Sequence, residues 1–335
     1  LFAPGGAGLL EALAPVVRPL QEAGHPRVGR LVGEALYVRE RAATLGLQHL
    51  HVHFATDSAL VAHLVHGLGG PSYSITAHAK DIYRSTVDPG LLTRVVADSA
   101  FTTTVCDANL DHLRSFLGEA AQPRLRKLYN GIDLEHFRPG GSPREEDLVL
   151  AVGRLVEKKG LDLLVDAMVR VREARPQARC VIVGQGDARG ALEERIRTRG
   201  AGGFVELAGA LHQGDVLDLM QRATVFALPC RVGEDGNRDA LPTVLLEALG
   251  CGLPCISTPV TGIPEILDGG RVGRLVPEED AAALAETLLE LLDSPEERAR
   301  LSEAGRAHAR AHFDGPSVAR TLGEWFRACV EGEAS

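Results

Sequence analysis

From residue 148 onward, short apolar runs alternate with longer stretches whose apolar residues recur at spacings of three and four. The runs are LVLAVG (148–153), CVIVG (180–184), FVELAG (204–209), VFALP (225–229), CISTP (255–259) and GRLVP (273–277), bounded by Gly or Pro. Runs apolar on both faces, separated by helical patterns such as LDLLVDAMVRVREA (161–174) and DVLDLMQRA (215–223), predict a parallel sheet covered on both sides. A less complete version of the alternation runs through HLHVHF (49–54), YSITAHA (73–79), FTTTVC (101–106) and LRKLYNG (125–131). Beyond Pro277 the pattern is helical to the end, over 279–293, 296–312 and 316–331.

Between the halves, YNGIDLEHFRPGGSPREED (129–147) carries two turn signals and then a charged run without periodicity, which predicts a boundary near Gly140. The fold class is therefore α/β: two doubly wound domains, residues 1–140 and 141–315, facing a cleft, with a helix in 316–335 packing back on the first. Residues 1–30 are rich in Gly, Pro and Ala, show no strand pattern and read as a shapeless leader. The first domain thus reads as incomplete at its start; at roughly 30 residues per βα unit, two or three units are missing from it.

Composition narrows the function. The chain has 335 residues and a net charge of -9, yet residues 1–142 hold thirteen basic and thirteen acidic side chains, so the acidity lies wholly in the second half. An acidic chain with 4% aromatics and no basic tract is a poor partner for nucleic acid. No run of about 18 apolar residues predicts a membrane span, and no leader peptide is recognisable, so the cytoplasm is the expected compartment. The six cysteines sit in apolar settings, and only Cys251 and Cys255 are close together, which is a weak zinc signal. Neither a metal nor another cofactor is expected.

Four lysines stand among 36 basic residues, and two of them, Lys158 and Lys159, are adjacent in AVGRLVEKKG (151–160). There a strand ends at Gly153 and a helix begins near Gly160, so Arg154 and Lys159 lie on a strand-to-helix connection, where open parallel sheets bind ligands and helix N-termini attract anions. A guanidinium fork with an ammonium suits a diphosphate. In DALPTVLLEALGCGLP (239–254), Asp239 precedes a helix starting around Pro242 and reads as its cap or as a ligand contact. Glu247 lies eight positions later in an apolar stretch, where a carboxylate needs hydrogen-bond donors such as a sugar diol. GQGD (184–187) is a glycine turn opening with Gly184, and TPVTGIPEI (258–266) offers Gly262 for close backbone approach to a ligand. His78 ends the YSITA strand and carries a ring that titrates near neutrality. His51 and His53 share a strand face, but with no third ligand nearby in sequence a metal is a weak reading.

Taken together, GRLVEKKG, GQGD, DALPTVLLEALGCGLP and STPVTGIPEI resemble, in order and spacing, the nucleotide-sugar domain of retaining glycosyltransferases of the GT-B fold, family GT4. HVHFATDSALVAHL and ITAHAKDIY resemble the N-terminal domain of its exopolysaccharide and colanic-acid members. The resemblance implies two Rossmann-like domains, a UDP- or GDP-sugar donor, and a saccharide or lipid-linked acceptor in polysaccharide biosynthesis, with catalysis that needs no metal. It further implies that Arg154 and Lys159 hold the donor diphosphate, that Asp239 contacts the donor sugar and Glu247 the ribose, and that His78 lies near the transferred sugar. Gly153, Gly184, Ala240, Leu241, Thr243 and Gly262 would line the donor side. Two departures stand out: Asp239 replaces a Glu, and Ala240 stands where the family usually has Gly, so a backbone needing φ > 0 there would be hindered. The same resemblance leaves room for peripheral contact of the N-terminal domain with the inner membrane face. Competing readings are a nucleotide-sugar epimerase on the same plan and a non-catalytic nucleotide-sugar-binding fragment.

Overall fold

The computed structural model describes residues 6–84 and 87–332, with side chains from residue 13. Among the described residues, ten strands form two parallel sheets. In the first, β1 (His49–His53), β2 (Ser72–Ala77), β3 (Phe101–Thr104) and β4 (Leu125–Lys127) lie in sequential order. In the second, β5 (Leu148–Val152), β6 (Arg179–Val183), β7 (Val205–Gly209), β8 (Val225–Leu228), β9 (Cys255–Ser257) and β10 (Arg274–Leu275) adopt the order β10-β9-β8-β5-β6-β7. Each predicted run overlaps one of these strands. The second order reverses at β5, which pairs with both β6 and β8, and crevices at the carboxyl ends of such strands are the usual ligand sites of doubly wound folds. Every residue of β5 and of β8 is buried, as expected for strands covered on both faces.

Contacts divide the chain into one compact unit comprising the residues up to Leu128 together with those from Arg320 on, and another comprising Tyr129–Ala319. The change falls at Tyr129, ahead of Gly140, because the turn-rich segment is bonded into the second unit. The Tyr129 hydroxyl donates to Glu265 at 2.9 Å, Ile132 pairs with Asp314, and Gln221 donates to the Arg138 carbonyl at 2.8 Å. The charged run is likewise structured. Arg144 donates to the Met220, Gln221, Ala223 and Cys251 carbonyls at 2.7–3.1 Å, Glu145 pairs with Arg179 and Arg222, and Asp147 pairs with Arg175. A guanidinium on the C-terminal carbonyls of two helices needs no carboxylate partner.

The shapeless-leader reading of residues 1–30 is overturned for those described: helices span Gly6–Glu22 and Val28–Leu45. Pro15 and Pro19 lie inside the first helix and suggest a break, but the spacing of Val16, Val17 and Leu20 wins. These residues pack with Leu31 and Ala35 against Ala59, Leu64 and Val65 of helix Asp57–Gly67. The residues before Gly6 lie outside the described set.

On β1 the alternation HLHVH sends Leu50 and Val52 to the apolar cluster with Val38 and Val61, while His49 and His51 face helix Gly315–Glu331. Within the first unit, Phe326 lies 5.7 Å and 5.0 Å from these two rings, and Trp325 is 5.4 Å from Phe101. The ring nitrogens of His49 are taken by Ser72 and Ser74, and those of His51 by Ser74 and Thr76, at 2.8–2.9 Å. Burial, with His53 and His49 nearby, lowers the His51 pKa to about 4. These histidines therefore form a polar ladder with the β2 hydroxyls. Among the described residues no helix is long and apolar enough to cross a membrane.

Candidate functional site

The loop after β5 folds into a tight turn, Glu157–Lys159, closed by Gly160 at φ 60 before helix Leu161–Ala174. Glycine is required there twice over: the backbone is left-handed, and a Cβ would lie 1.9 Å from the Pro229 carbonyl oxygen. This close approach presses the turn against the carboxyl end of β8. Lys158 and Lys159 are consequently buried, at 9% and 7% exposure. Both ammonium groups converge on Asp239, Lys158 at 3.0 Å and Lys159 at 2.5 Å. Burial pushes the Asp239 carboxyl up, but Lys159 and Lys158 together hold it below the ordinary value. The Cys230 thiol points at the same carboxylate from 3.8 Å, and burial pushes its pKa up to about 12.

Asp239 does not cap the following helix. That helix runs Thr243–Gly250 with Pro242 at its N-cap and no side-chain cap bond, and the two buried lysines claim the carboxylate instead. The motif assigns no site role to Lys158, although the adjacent pair in a lysine-poor chain is a visible signal. It also donates to Asn237 Oδ1 and the Arg238 carbonyl, both at 3.3 Å, so it braces the loop before Asp239. Lys159 has only Asp239 as an ion-pair partner among the described residues.

Arg154 is exposed and has no ion pair among the described residues. It lines a polar cavity of about 330 Å³ with Glu157, Lys158, Glu234, Asp235 and Asn237. Glu247 is half-buried, its carboxylate has no hydrogen-bond or ion-pair partner among the described residues, and burial raises its pKa. An unpartnered, desolvated carboxylate opposes folding unless a ligand supplies donors. Because the folded pKa is raised, the destabilisation is complete above that pKa and vanishes as pH falls through it toward the ordinary value. Glu247→Gln is therefore expected to raise the melting temperature at pH 7 and to lose that advantage below about pH 4; calorimetry across pH checks this, and a lower melting temperature at pH 7 would contradict it.

Gly153 and Gly184 sit side by side at the ends of β5 and β6. A Cβ on Gly184 would lie 1.8 Å from the Gly153 carbonyl oxygen, so packing of the two turns dictates this glycine. Ala240 and Leu241 are buried, Thr243 is the exposed first residue of its helix, and the Ala240 carbonyl accepts from Gly262 N at 3.0 Å. Ala240 is not among the positive-φ residues, so its methyl imposes no backbone strain. In the 258–266 turn the left-handed residue is Thr261, at φ 51, while Gly262 has φ -89. Conformational freedom at Gly262 is thus not what this turn uses.

His78 belongs to the first unit, at the carboxyl end of β2, and its neighbours are His53 and Phe54. Burial and the nearby His53 lower its pKa. Asp81, 1% exposed, accepts from His78 N at 2.9 Å and Ala55 N at 2.8 Å, tying the turns after β1 and β2 together.

Residues 133–308 match the family model described as glycosyl transferases group 1, and the chain belongs to that family. A GDP-mannose-dependent monoacylated alpha-(1-6)-phosphatidylinositol monomannoside mannosyltransferase of Corynebacterium glutamicum is 30% identical over 276 residues, covering 77% of this chain and 71% of the relative. The amylovoran biosynthesis glycosyltransferase AmsK of Erwinia amylovora is 32% identical over 176 residues, covering 52% of this chain. The match spans 43% of AmsK, less than half that protein's length. Among solved structures, sucrose-phosphate synthase from Thermosynechococcus elongatus superposes with TM-score 0.77 at 22% identity, covering 89% of this chain and 77% of the other. Anabaena Alr3699/HepE in complex with UDP does so with TM-score 0.73 at 17% identity, covering 88% and 82%. The fold is thus the α/β GT-B fold with parallel sheets.

Proposed function

We propose that this chain is a retaining glycosyltransferase that moves a sugar from a UDP- or GDP-sugar to a saccharide or lipid-linked acceptor in polysaccharide or glycolipid biosynthesis. The observation that carries this reading is the buried Lys158–Asp239–Lys159 cluster beside the switch point of the second sheet, on the same stretch as an unpartnered Glu247. The mannosyltransferase relative is named for GDP-mannose and the HepE structure for UDP, which supports a nucleotide-linked donor without choosing the base.

In this mechanism Arg154 and Lys159 bind the donor diphosphate and stabilise the charge that builds on it as the glycosidic bond breaks, the role a metal plays in other transferases. The two buried lysines share the single carboxylate of Asp239, so one ammonium charge of that cluster is left for a phosphate oxygen. Asp239, held ionised by the lysines, accepts hydrogen bonds from donor-sugar hydroxyls, and the ribose diol supplies the donors Glu247 lacks. His78 acts near the transferred sugar, and front-face attack retains the anomeric configuration without a protein nucleophile. To test this, UDP-glucose, UDP-galactose, UDP-N-acetylglucosamine and GDP-mannose are incubated with pyranoside acceptors in EDTA, and anomeric protons are followed by NMR. A product with the donor's anomeric configuration is expected; inversion, dependence on added metal, or isomerised donor without acceptor would each overturn the corresponding part.

A further inference from the structure

We propose that Phe54, backed by His78 and His53, is a stacking platform for a pyranose ring of the acceptor, an inference that rests on the glycosyltransferase reading. Two general preferences fail at this residue. The residue is 46% exposed, although a large apolar side chain gains by burial, and its backbone lies at φ 72, where a bulky residue is strained. Neither feature comes from a slack loop. Phe54 N donates to the Thr76 carbonyl at 2.9 Å, its own carbonyl accepts from the Ser58 hydroxyl at 2.8 Å, and the next amide, Ala55 N, is held by Asp81. Strain that the surroundings enforce so fully is characteristic of functional sites.

The direction of the ring is equally defined. Its centroid lies 4.8 Å from that of His78, tilted by 45°, and His53 stacks on the other imidazole at 5.7 Å and 18°. His53 Nδ1 and His78 Nε2 are 3.4 Å apart. An apolar π face beside two imidazoles presents what one side of a pyranose needs: a negative face for its polarised C–H bonds and, for a hydroxyl, the His53 Nε2 that the pair does not use. Asp81, buried to 1% exposure, keeps one carboxylate oxygen without a partner behind these turns. All of these residues belong to the first unit, whereas the lysine–aspartate cluster to which the donor diphosphate is assigned belongs to the second, so the acceptor is the occupant assigned to the platform.

Saturation-transfer NMR with methyl α-D-mannopyranoside and methyl β-D-galactopyranoside, irradiating aromatic protons, tests this without turnover. At least one pyranoside is expected to show saturation in its ring C–H protons with the wild type, to lose it at least fivefold in Phe54→Gly, and to keep it in Phe54→Tyr. Glycine suits the left-handed backbone, so Phe54→Gly is expected to melt no lower than the wild type, whereas a purely structural phenylalanine would lower it. UDP and GDP signals are expected to be equal in all three proteins. In the transfer assay Phe54→Gly raises the acceptor KM at least tenfold and leaves the donor KM within twofold. No signal from either pyranoside, equal signals in wild type and Phe54→Gly, or a shift confined to the donor KM would overturn the platform. If wild type transfers no sugar yet the glycoside signal still depends on Phe54, the glycosyltransferase reading fails and the platform stands.

Discussion

Asp239→Ala is expected to lower the unfolding free energy of the protein by about 3–5 kcal/mol, the usual result of removing one partner from a buried ion pair. The reason is the charge left behind: Lys158 and Lys159, 9% and 7% exposed, would keep two ammonium groups in a buried turn with no carboxylate. For a domain of this size that corresponds to a melting temperature lower by on the order of 10 °C. The pH dependence carries its own sign. The carboxyl is held below its ordinary value of 3.8 in the folded state, so its stabilisation is complete above that value and is lost as pH falls through the folded pKa. The gap between wild type and Asp239→Ala should therefore be full at pH 7 and shrink in strong acid. Denaturant titrations at both pH values check this; equal stability at pH 7 would mean that the three charges do not form a cluster in solution.

Lys159→Ala is expected to reduce transfer by about 10²–10³-fold in kcat, the range seen when one preorganised donor to a developing negative charge is removed. The structure ranks the two lysines. Lys158 is also tied to Asn237 and the Arg238 carbonyl, whereas Lys159 has Asp239 alone, so Lys159 is the ammonium a diphosphate can engage without dismantling the loop. Lys158→Ala should accordingly act more through stability than through kcat. Initial rates at saturating donor, compared with melting temperatures, separate the two. A larger kcat loss for Lys158→Ala would reverse the assignment.

Much of the fold was legible because its strands are apolar on both faces. LVLAV and VFAL admit little but a covered parallel sheet, and Gly or Pro ends each run. What was not legible depended on contacts remote in sequence. Pro15 and Pro19 mask a helix that is fixed by packing onto Leu64 and Val65, and the charged run 142–147 looks like a linker until Arg144 meets carbonyls some 76 to 107 positions away. The site divides in the same way. The lysine pair and the Asp239–Glu247 spacing can be read locally. The second lysine's bond to Asp239 cannot, nor can the left-handed Phe54, because a residue type says nothing of its own φ until its neighbours fix it.

On this account the carboxyl end of the second sheet holds a nucleoside diphosphate. The most direct test is a crystal structure with UDP-glucose or GDP-mannose bound. The predicted density places the diphosphate within hydrogen-bond distance of the Arg154 guanidinium and the Lys159 ammonium, with the ribose hydroxyls on Glu247. A nucleotide ordered elsewhere, or none bound at millimolar concentration, would contradict it.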